Sequence, residues 1–498
     1  MAHAPIRDVV IAGGGTAGWM MAAAAARMLH DGQRRITLIE SAEIGTVGVG
    51  EATIPPIVDF NRGLGIPEAE FVRETKATCK LGIEFRDWGR IGDRYVHPFG
   101  GVGRDLEGID FHRIWLKFRD KPGVGGIGDY AMSAVAAHAG RFGHPVADQR
   151  SPLSQLAYAY HFDAGLYARY LRGLAEAGGV VRVEGKIARV ERAENGHVQA
   201  LDLQDGRRIA GELFIDCTGF RSLLLGQEMG VPFQDWSRWL PCDRALAVPT
   251  ERRDPLIPLT RATARAAGWQ WRIPLQHRTG NGHVWSSAFQ SDAEAERALR
   301  EGLDAPPQGE PRLLRFTAGR RERMWEGNVV AIGLSGGFLE PLESTSIHLI
   351  QSAIQKLLNL FPHSGFPPAS RDTFNRLMNA QYDYVRDFVI LHYKATARTD
   401  TPFWRQVGAM PIPDTLAEKI ALFRESGALF RYADDLFATP SWAAVLLGQH
   451  IVPADGGALA DALDEQRVAG ALIAMRRAYP AAAATLPGHA EWIERLIG

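Results

Sequence analysis

Gly13-Gly-Gly-Thr-Ala-Gly18 lies between the apolar run Asp8-Val-Val-Ile-Ala12 and an Ala-rich stretch from Trp19 to Leu29, and its reading decides the fold of this 498-residue chain. A short apolar run, a glycine turn and an apolar helix are the opening of a parallel α/β sheet. Gly13 makes the tight turn, Gly15 lets the backbone approach a pyrophosphate, and Gly18 allows close helix–strand packing. The helix N-terminus at Thr16 and Ala17 then faces the phosphate charge. Arg35-Ile-Thr-Leu-Ile-Glu40 is the second strand, and Glu40 at its end is placed to accept hydrogen bonds from a ribose. An acid there disfavours a ribose 2′-phosphate. A second match, Gly123-Val-Gly-Gly-Ile-Gly128, follows a charged stretch and opens no helix, so it reads as a loop.

Composition narrows the class. A formal net charge of −1 supplies no bulk attraction to nucleic acid or an anionic membrane. The three cysteines, Cys79, Cys217 and Cys242, have no metal-type spacing and read as reduced thiols. The start of the chain has no basic leader, and the apolar run from Met20 to Leu29 is too short to span a bilayer, which needs about 20 residues. These features predict a soluble, cytoplasmic protein without a metal site.

Further along, Val180–Val183, Ile187–Val190, Val198–Leu203, Leu213–Cys217 and Asn328–Gly333 read as strands. Phe162–Ala177 and Thr345–Leu360 read as helices. The Gly-dense stretch from Ile44 to Pro56 reads as a functional loop, residues 91–150 as irregular, and the chain beyond about 370 as helical. Two later strands end in glycine, at Asp216-Cys-Thr-Gly219 and Ala331-Ile-Gly333. This resembles flavoproteins of the two-dinucleotide-half type, which return late in the chain to contact FAD. The implied fold is α/β: an FAD-binding Rossmann-type, monooxygenase-like module with a second sheet and a mostly helical C-terminal region on the substrate side. The predicted division is residues 1–370, with substrate-side segments interposed at about 91–155 and 230–320, followed by 371–498. Gly333 and Leu334 are then FAD contacts. The acid often found beyond such a glycine for the ribityl chain is replaced by Leu334-Ser335.

Four segments in order carry a more specific resemblance: Val49-Gly-Glu-Ala-Thr-Ile-Pro55, Cys79-Lys-Leu-Gly-Ile-Glu-Phe85, Gly268-Trp-Gln-Trp-Arg-Ile-Pro274 and Pro341-Leu-Glu-Ser-Thr345. Together they resemble the flavin-dependent halogenases, the group that includes tryptophan halogenases, over residues 8 to about 365. The resemblance implies that FADH2, supplied by a separate reductase, reacts with O2 and chloride or bromide to give hypohalous acid, which halogenates an indole-like aromatic. Gly50, Glu51, Ala52 and Thr53 fall on the family's flavin loop. Lys80 becomes the handler of the oxidant, as a hydrogen-bonding ammonium or as an amine forming a haloamine. Lys76, with polar neighbours, reads as a surface lysine.

Glu343, expected just before a helix starting near Ser344, becomes the acid or base. Glu340 is its rival and reads as a loop residue. Thr345 and Ser346 take the halide at the helix N-terminus. Trp269 and Trp271 alternate on one strand face and screen substrate from flavin. His97 and Phe99 resemble rings that stack on indole. Trp442 marks the segment where free-tryptophan enzymes carry a polar clamp, but Ala443 and Ala444 follow it, which favours indole or a substituted indole over free tryptophan. A flavin aromatic monooxygenase and a non-catalytic FAD-binding module are the alternatives, and a homodimer is left open.

Overall fold

The N-terminal strand–turn–helix unit is present in the computed structural model, which describes residues 4–29, 31–41, 50–432, 435–453 and 457–498. In chain order β1 (Asp8–Ala12) leads through the glycine turn into α1 (Thr16–Met28), then β2 (Arg35–Glu40). A short strand β3 (Gly50–Ala52) follows, and after two helices come β4 (Thr78–Lys80), β5 (Gly82–Arg86) and β6 (Arg94–Pro98). Next are β7 (Ala159–Asp163), β8 (Val181–Glu184), β9 (Leu213–Asp216), β10 (Gly268–Pro274) and β11 (Val329–Ala331). Three helices matter below: α2 (Ser346–Asn359), α3 (Pro368–Lys394) and α4 (Thr439–Gly448).

The nucleotide sheet runs β11-β9-β1-β2-β8, all parallel, with the antiparallel edge strand Trp325–Glu326 beside β11. Its central strands are near-continuous apolar runs because both faces are covered, one by α1 and the other by the small antiparallel sheet of Ile187–Arg192, Val198–Leu203 and Arg208–Ala210. α1 is buried from Gly18 to Ala26, and its alanines let it lie close between the sheet and the helices Ala164–Ala177 and α2.

A second, seven-stranded sheet ends in β10, Thr260–Arg265, β5 and β6. Between the two large sheets, β7 pairs with both β3 and β4 in a small three-stranded sheet. This small sheet brings the flavin-loop residues and Lys80 onto neighbouring backbones.

Several sequence expectations need correction. Residues 91–150 are not irregular: they contain β6, the helices Phe111–Phe118 and Met132–His138, and a 3-10 turn. Phe111, Ile114 and Phe118 have helical spacing and are buried, a signal obscured by the glycines around it. Of the stretch read as a loop from Ile44 to Pro56, residues 44–49 lie outside the described residues, while Gly50–Ala52 form a strand. The helix expected near Ser344 begins at Ser346, because Pro341–Glu343 make a 3-10 turn and Ser344 is left-handed. The second glycine motif, at 123–128, lies in a loop leading into a 3-10 turn, as its sequence context implied. All three cysteines are buried and free. Among the described residues no helix is long and apolar enough to cross a membrane.

Candidate active site

The glycine turn is shaped by backbone contact. Gly13 has φ +110°, and a Cβ on it would lie 2.3 Å from the Cys217 carbonyl oxygen. A Cβ on Gly18 would lie 1.9 Å from the Gly13 carbonyl oxygen, whereas one on Gly15 would meet nothing within 4 Å. Gly15 therefore borders open space at the start of α1, with Thr16 and Ala17 in the first turn. That is the cradle a pyrophosphate needs. Glu40 sits at the end of β2, where it accepts from Trp19 Nε1 at 3.2 Å and pairs with Arg182. Gly333, with φ +80°, packs against Ala17, and Leu334 lines a cavity of about 740 Å3 with Ser222, Ser335 and Phe338. The residues present fit FAD: an open glycine, a helix N-terminus, an acid for a ribose and a returning strand.

Lys80 is wholly buried at the end of β4. Its Nζ donates to the Thr53 carbonyl at 3.0 Å and to Ser344 Oγ at 2.8 Å, and it stands 5.1 Å from the centre of the Phe99 ring. Burial lowers its pKa to about 7, although the charge of Glu343 pulls the other way. Lys76, by contrast, is exposed. Thr53 is itself fixed, its hydroxyl donating to the Tyr160 carbonyl at 2.7 Å. Ser344 holds φ +59° and ψ +35°, a strained setting for a residue with a side chain.

Glu343 is also wholly buried. His97 Nδ1 donates to its Oε2 at 2.7 Å. His392 Nε2 lies 2.8 Å from its Oε1, so a second imidazole faces the carboxylate. Burial pushes the Glu343 carboxyl up, but the two histidines outweigh it and hold it at about 2. A charged carboxylate and a lysine poised near neutrality thus share one buried site.

α2 starts at Ser346, with Thr345 at its N-cap, and Thr345 Oγ1 is buried without a protein partner among the described residues. An orphaned hydroxyl beside free helix N–H groups suits an anion such as halide.

On β10, Trp269 and Trp271 share one face with ring centres 6.0 Å apart. Trp271 packs beside Ala52, Ile273 and Leu275, which ties the aromatic pair to the flavin loop. In that loop Gly50 lies against Ile273 and Leu275, and burial raises the Glu51 carboxyl to about 7. Glu340, read from sequence as a loop residue, is wholly buried and accepts from Trp269 Nε1 at 2.7 Å and from Tyr393 Oη at 2.6 Å. It does lie in the loop ahead of the Pro341–Glu343 turn, and what the structure adds is its burial between two donors.

On the other side, His97 packs edge-on to Phe388, which stacks on Phe437 and meets Trp442 at 4.8 Å. Trp442 is on α4, with Lys419 Nζ 3.9 Å from its ring centre. A cavity of about 600 Å3 is lined by Tyr95, Pro98, Phe111, Trp115, Ala443 and Ala444.

The structure thus brings together Lys80, Thr53, Phe99, Glu343 and His97, and it places Trp442 one ring further out. Sequence reasoning missed Ser344, His392, Tyr393 and Phe388. Ser344 sat inside a quoted motif, but the other three lie in a helix whose sequence carries no motif.

A parallel sheet that offers a glycine turn to a dinucleotide and returns to it at Gly333, joined to a buried lysine–carboxylate site, defines an FAD-binding oxidoreductase of the monooxygenase-like type. The family described as tryptophan halogenase matches residues 8–465. The chain is 39% identical to tryptophan 6-halogenase SttH from Streptomyces toxytricini, over 91% of this chain and 92% of that protein. Among solved structures, the flavin-dependent halogenase Xcc4156 from Xanthomonas campestris is 49% identical, with a TM-score of 0.95 over 99% of this chain and 98% of that one. The flavin-dependent halogenase BrvH from Brevundimonas sp. BAL3 is 46% identical, with a TM-score of 0.95 over 99% of both chains. The chain belongs to the tryptophan halogenase family of flavin-dependent halogenases.

Proposed function

We propose that this chain halogenates an indole-like aromatic through Lys80 and Glu343, with reduced FAD supplied by a separate flavin reductase. The observation that carries the reading is the burial of these two side chains in one site, joined through Ser344. Gly13, Gly15, Thr16, Ala17, Gly18 and Glu40 would hold the nucleotide half of FAD, while Gly50, Glu51, Ala52, Thr53, Gly333 and Leu334 would hold the flavin half. Bound there, reduced FAD provides the reducing power with which O2 and halide become hypohalous acid.

The remaining steps fall to the chain's own groups. Thr345 and Ser346 offer backbone N–H groups and a free hydroxyl to the halide. With its pKa near 7, Lys80 presents both an ammonium that can hydrogen-bond hypohalous acid and an amine that can take its halogen. Attack by an electron-rich ring on that halogen gives a cationic arenium ion. Glu343, ionised throughout the neutral range, stabilises this cation and accepts its proton. Trp269 and Trp271 keep substrate and flavin apart. His97, Phe99 and Trp442 form the aromatic side of the substrate region, and Ala443 and Ala444 leave room where a clamp for an amino-acid group would stand. This favours indole and substituted indoles; tryptophan is the substrate named for the relative SttH.

The test is turnover with a flavin reductase, O2, bromide or chloride, and a panel containing indole and tryptophan, read by product mass. Halogen isotope patterns are expected, with indole turned over faster than tryptophan. Lys80→Ala should abolish halogenated product while FAD binding persists. A gain of one oxygen in place of halogen, or full halogenation by Lys80→Ala, would overturn the reading.

A further inference from the structure

The buried Glu340 cluster lies outside the Lys80–Glu343 chemistry. Glu340 Oε2 receives two hydrogen bonds, from the indole N–H of Trp269 and the hydroxyl of Tyr393, while its Oε1 is buried with no protein partner among the described residues. As a stability device this is poor. A buried carboxyl with one oxygen unserved costs more than an apolar residue of the same size, and burial accordingly raises its pKa to about 7 despite the two donors. Its geometry is specific, however. An indole ring in an aromatic pocket is otherwise held only by non-directional contacts, and an acceptor on its single N–H fixes its rotation.

The anchor is also rigidly tied to the reaction site. Glu340 immediately precedes the turn Pro341–Glu343 that carries Glu343. Tyr393 follows His392, which contacts Glu343, on α3. The two segments that hold the carboxylate therefore also hold the tryptophan. Cys242 Sγ lies 3.6 Å from the Tyr393 hydroxyl, a second polar contact at that oxygen.

We propose that Glu340 is a positioning residue that locks the Trp269 indole and thereby sets how much of the oxidant reaches substrate as halogen. The proposal rests on the reading of Trp269 as part of the screen. When the lock is lost the indole turns, the partition opens, and O2 consumption is diverted to free hypohalous acid, peroxide or oxygenated product.

The experiment measures halogenated indole formed per O2 consumed, with a dione scavenger in solution to trap escaped hypohalous acid. Glu340→Leu removes the acceptor, Glu340→Gln keeps one acceptor oxygen, and Trp269→Phe removes the N–H while keeping an aromatic ring. The ratio should fall roughly five-fold in Glu340→Leu, the scale of one lost hydrogen bond. It should recover towards the wild-type value in Glu340→Gln. Trp269→Phe should fall similarly, and the double variant Glu340→Leu/Trp269→Phe should be no worse than either single one. Losses that multiply in the double variant, or an unchanged ratio in Trp269→Phe, would overturn the lock. Should Glu340→Leu fail to fold, Trp269→Phe and Glu340→Gln still decide the matter. Trp269→Ala separates the two ideas: an unchanged ratio there means that the screen itself fails, whereas a reduced ratio with an unaffected Glu340→Leu means that only the lock fails.

Discussion

At the glycine turn of residues 13–18 a side chain would collide with the fold; at Lys80 and Glu343 the fold is arranged around two side chains. The first site is local in sequence and made of backbone. Its demands are geometric, since Gly13 needs a positive φ and Gly18 sits against the Gly13 carbonyl oxygen. The second gathers β4, the 3-10 turn before α2, β6 and α3, and its demands are electrostatic. Two charges are withdrawn from water and answered by a carbonyl, a hydroxyl and two imidazoles. A backbone site should therefore break when an atom is added, and a side-chain site when one is taken away.

The largest expected effect is at the second site. Glu343→Gln keeps the shape but removes the charge that accepts the proton and faces the histidines, so halogenation should fall by on the order of a hundred-fold or more. The same change removes the group that holds the Lys80 pKa up, so the lysine should titrate still lower. Product mass over a pH series measures both; a wild-type rate in Glu343→Gln would place the base elsewhere.

The glycines give the next effect and sharpen the contrast. Gly18→Ala puts a methyl 1.9 Å from a carbonyl oxygen and should cost about 2–4 kcal/mol of stability, flavin present or not. Gly15→Ala faces open space, so thermal unfolding of the flavin-free protein should hardly change while FAD affinity drops about ten-fold or more. Equal destabilisation by the two changes would mean that Gly15 does not border the pyrophosphate.

The same contrast explains how much could be read from sequence. Strand, turn, helix and the acid at Glu40 follow one another within the first 40 residues, so residue order reports their geometry directly. Lys80 and Glu343 were legible only through motif resemblance. Nothing in their spacing announces that Ser344 lies between them, because that contact depends on a left-handed residue meeting a strand end more than 260 positions away. His392 and Tyr393 were invisible for a related reason. In Val389-Ile-Leu-His-Tyr393 they read as two residues of a buried helix, and only the packing of α3 reveals that they face Glu343 and Glu340. Glu340 does lie in a loop, but an acid beside a proline gives no sign that its carboxylate is buried between Trp269 and Tyr393. The helix at Phe111–Phe118 was missed despite a clear local period, because the surrounding glycines dominated the reading.

The last test probes the side-chain site through stability rather than turnover. Lys80 has its pKa lowered from 10.5 to about 7 on folding, so below about pH 7 the folded protein carries a buried ammonium at full cost. Between about 7 and 10.5 the unfolded chain keeps a proton that the folded one has lost, and stability therefore rises with pH across that window. Lys80→Met removes the group in both states. The variant should be the more stable protein at pH 7, and its advantage over wild type should shrink as pH approaches 10.5. Urea unfolding of both proteins across this range isolates the term, because every other titrating group is common to the pair. An advantage that stays constant with pH would mean that Lys80 keeps its ordinary pKa. The amine route would then lose its basis, leaving the ammonium as the form that handles the oxidant. The activity profile carries the matching signature: turnover that rises through about pH 7 belongs to the amine, and turnover that falls there belongs to the ammonium.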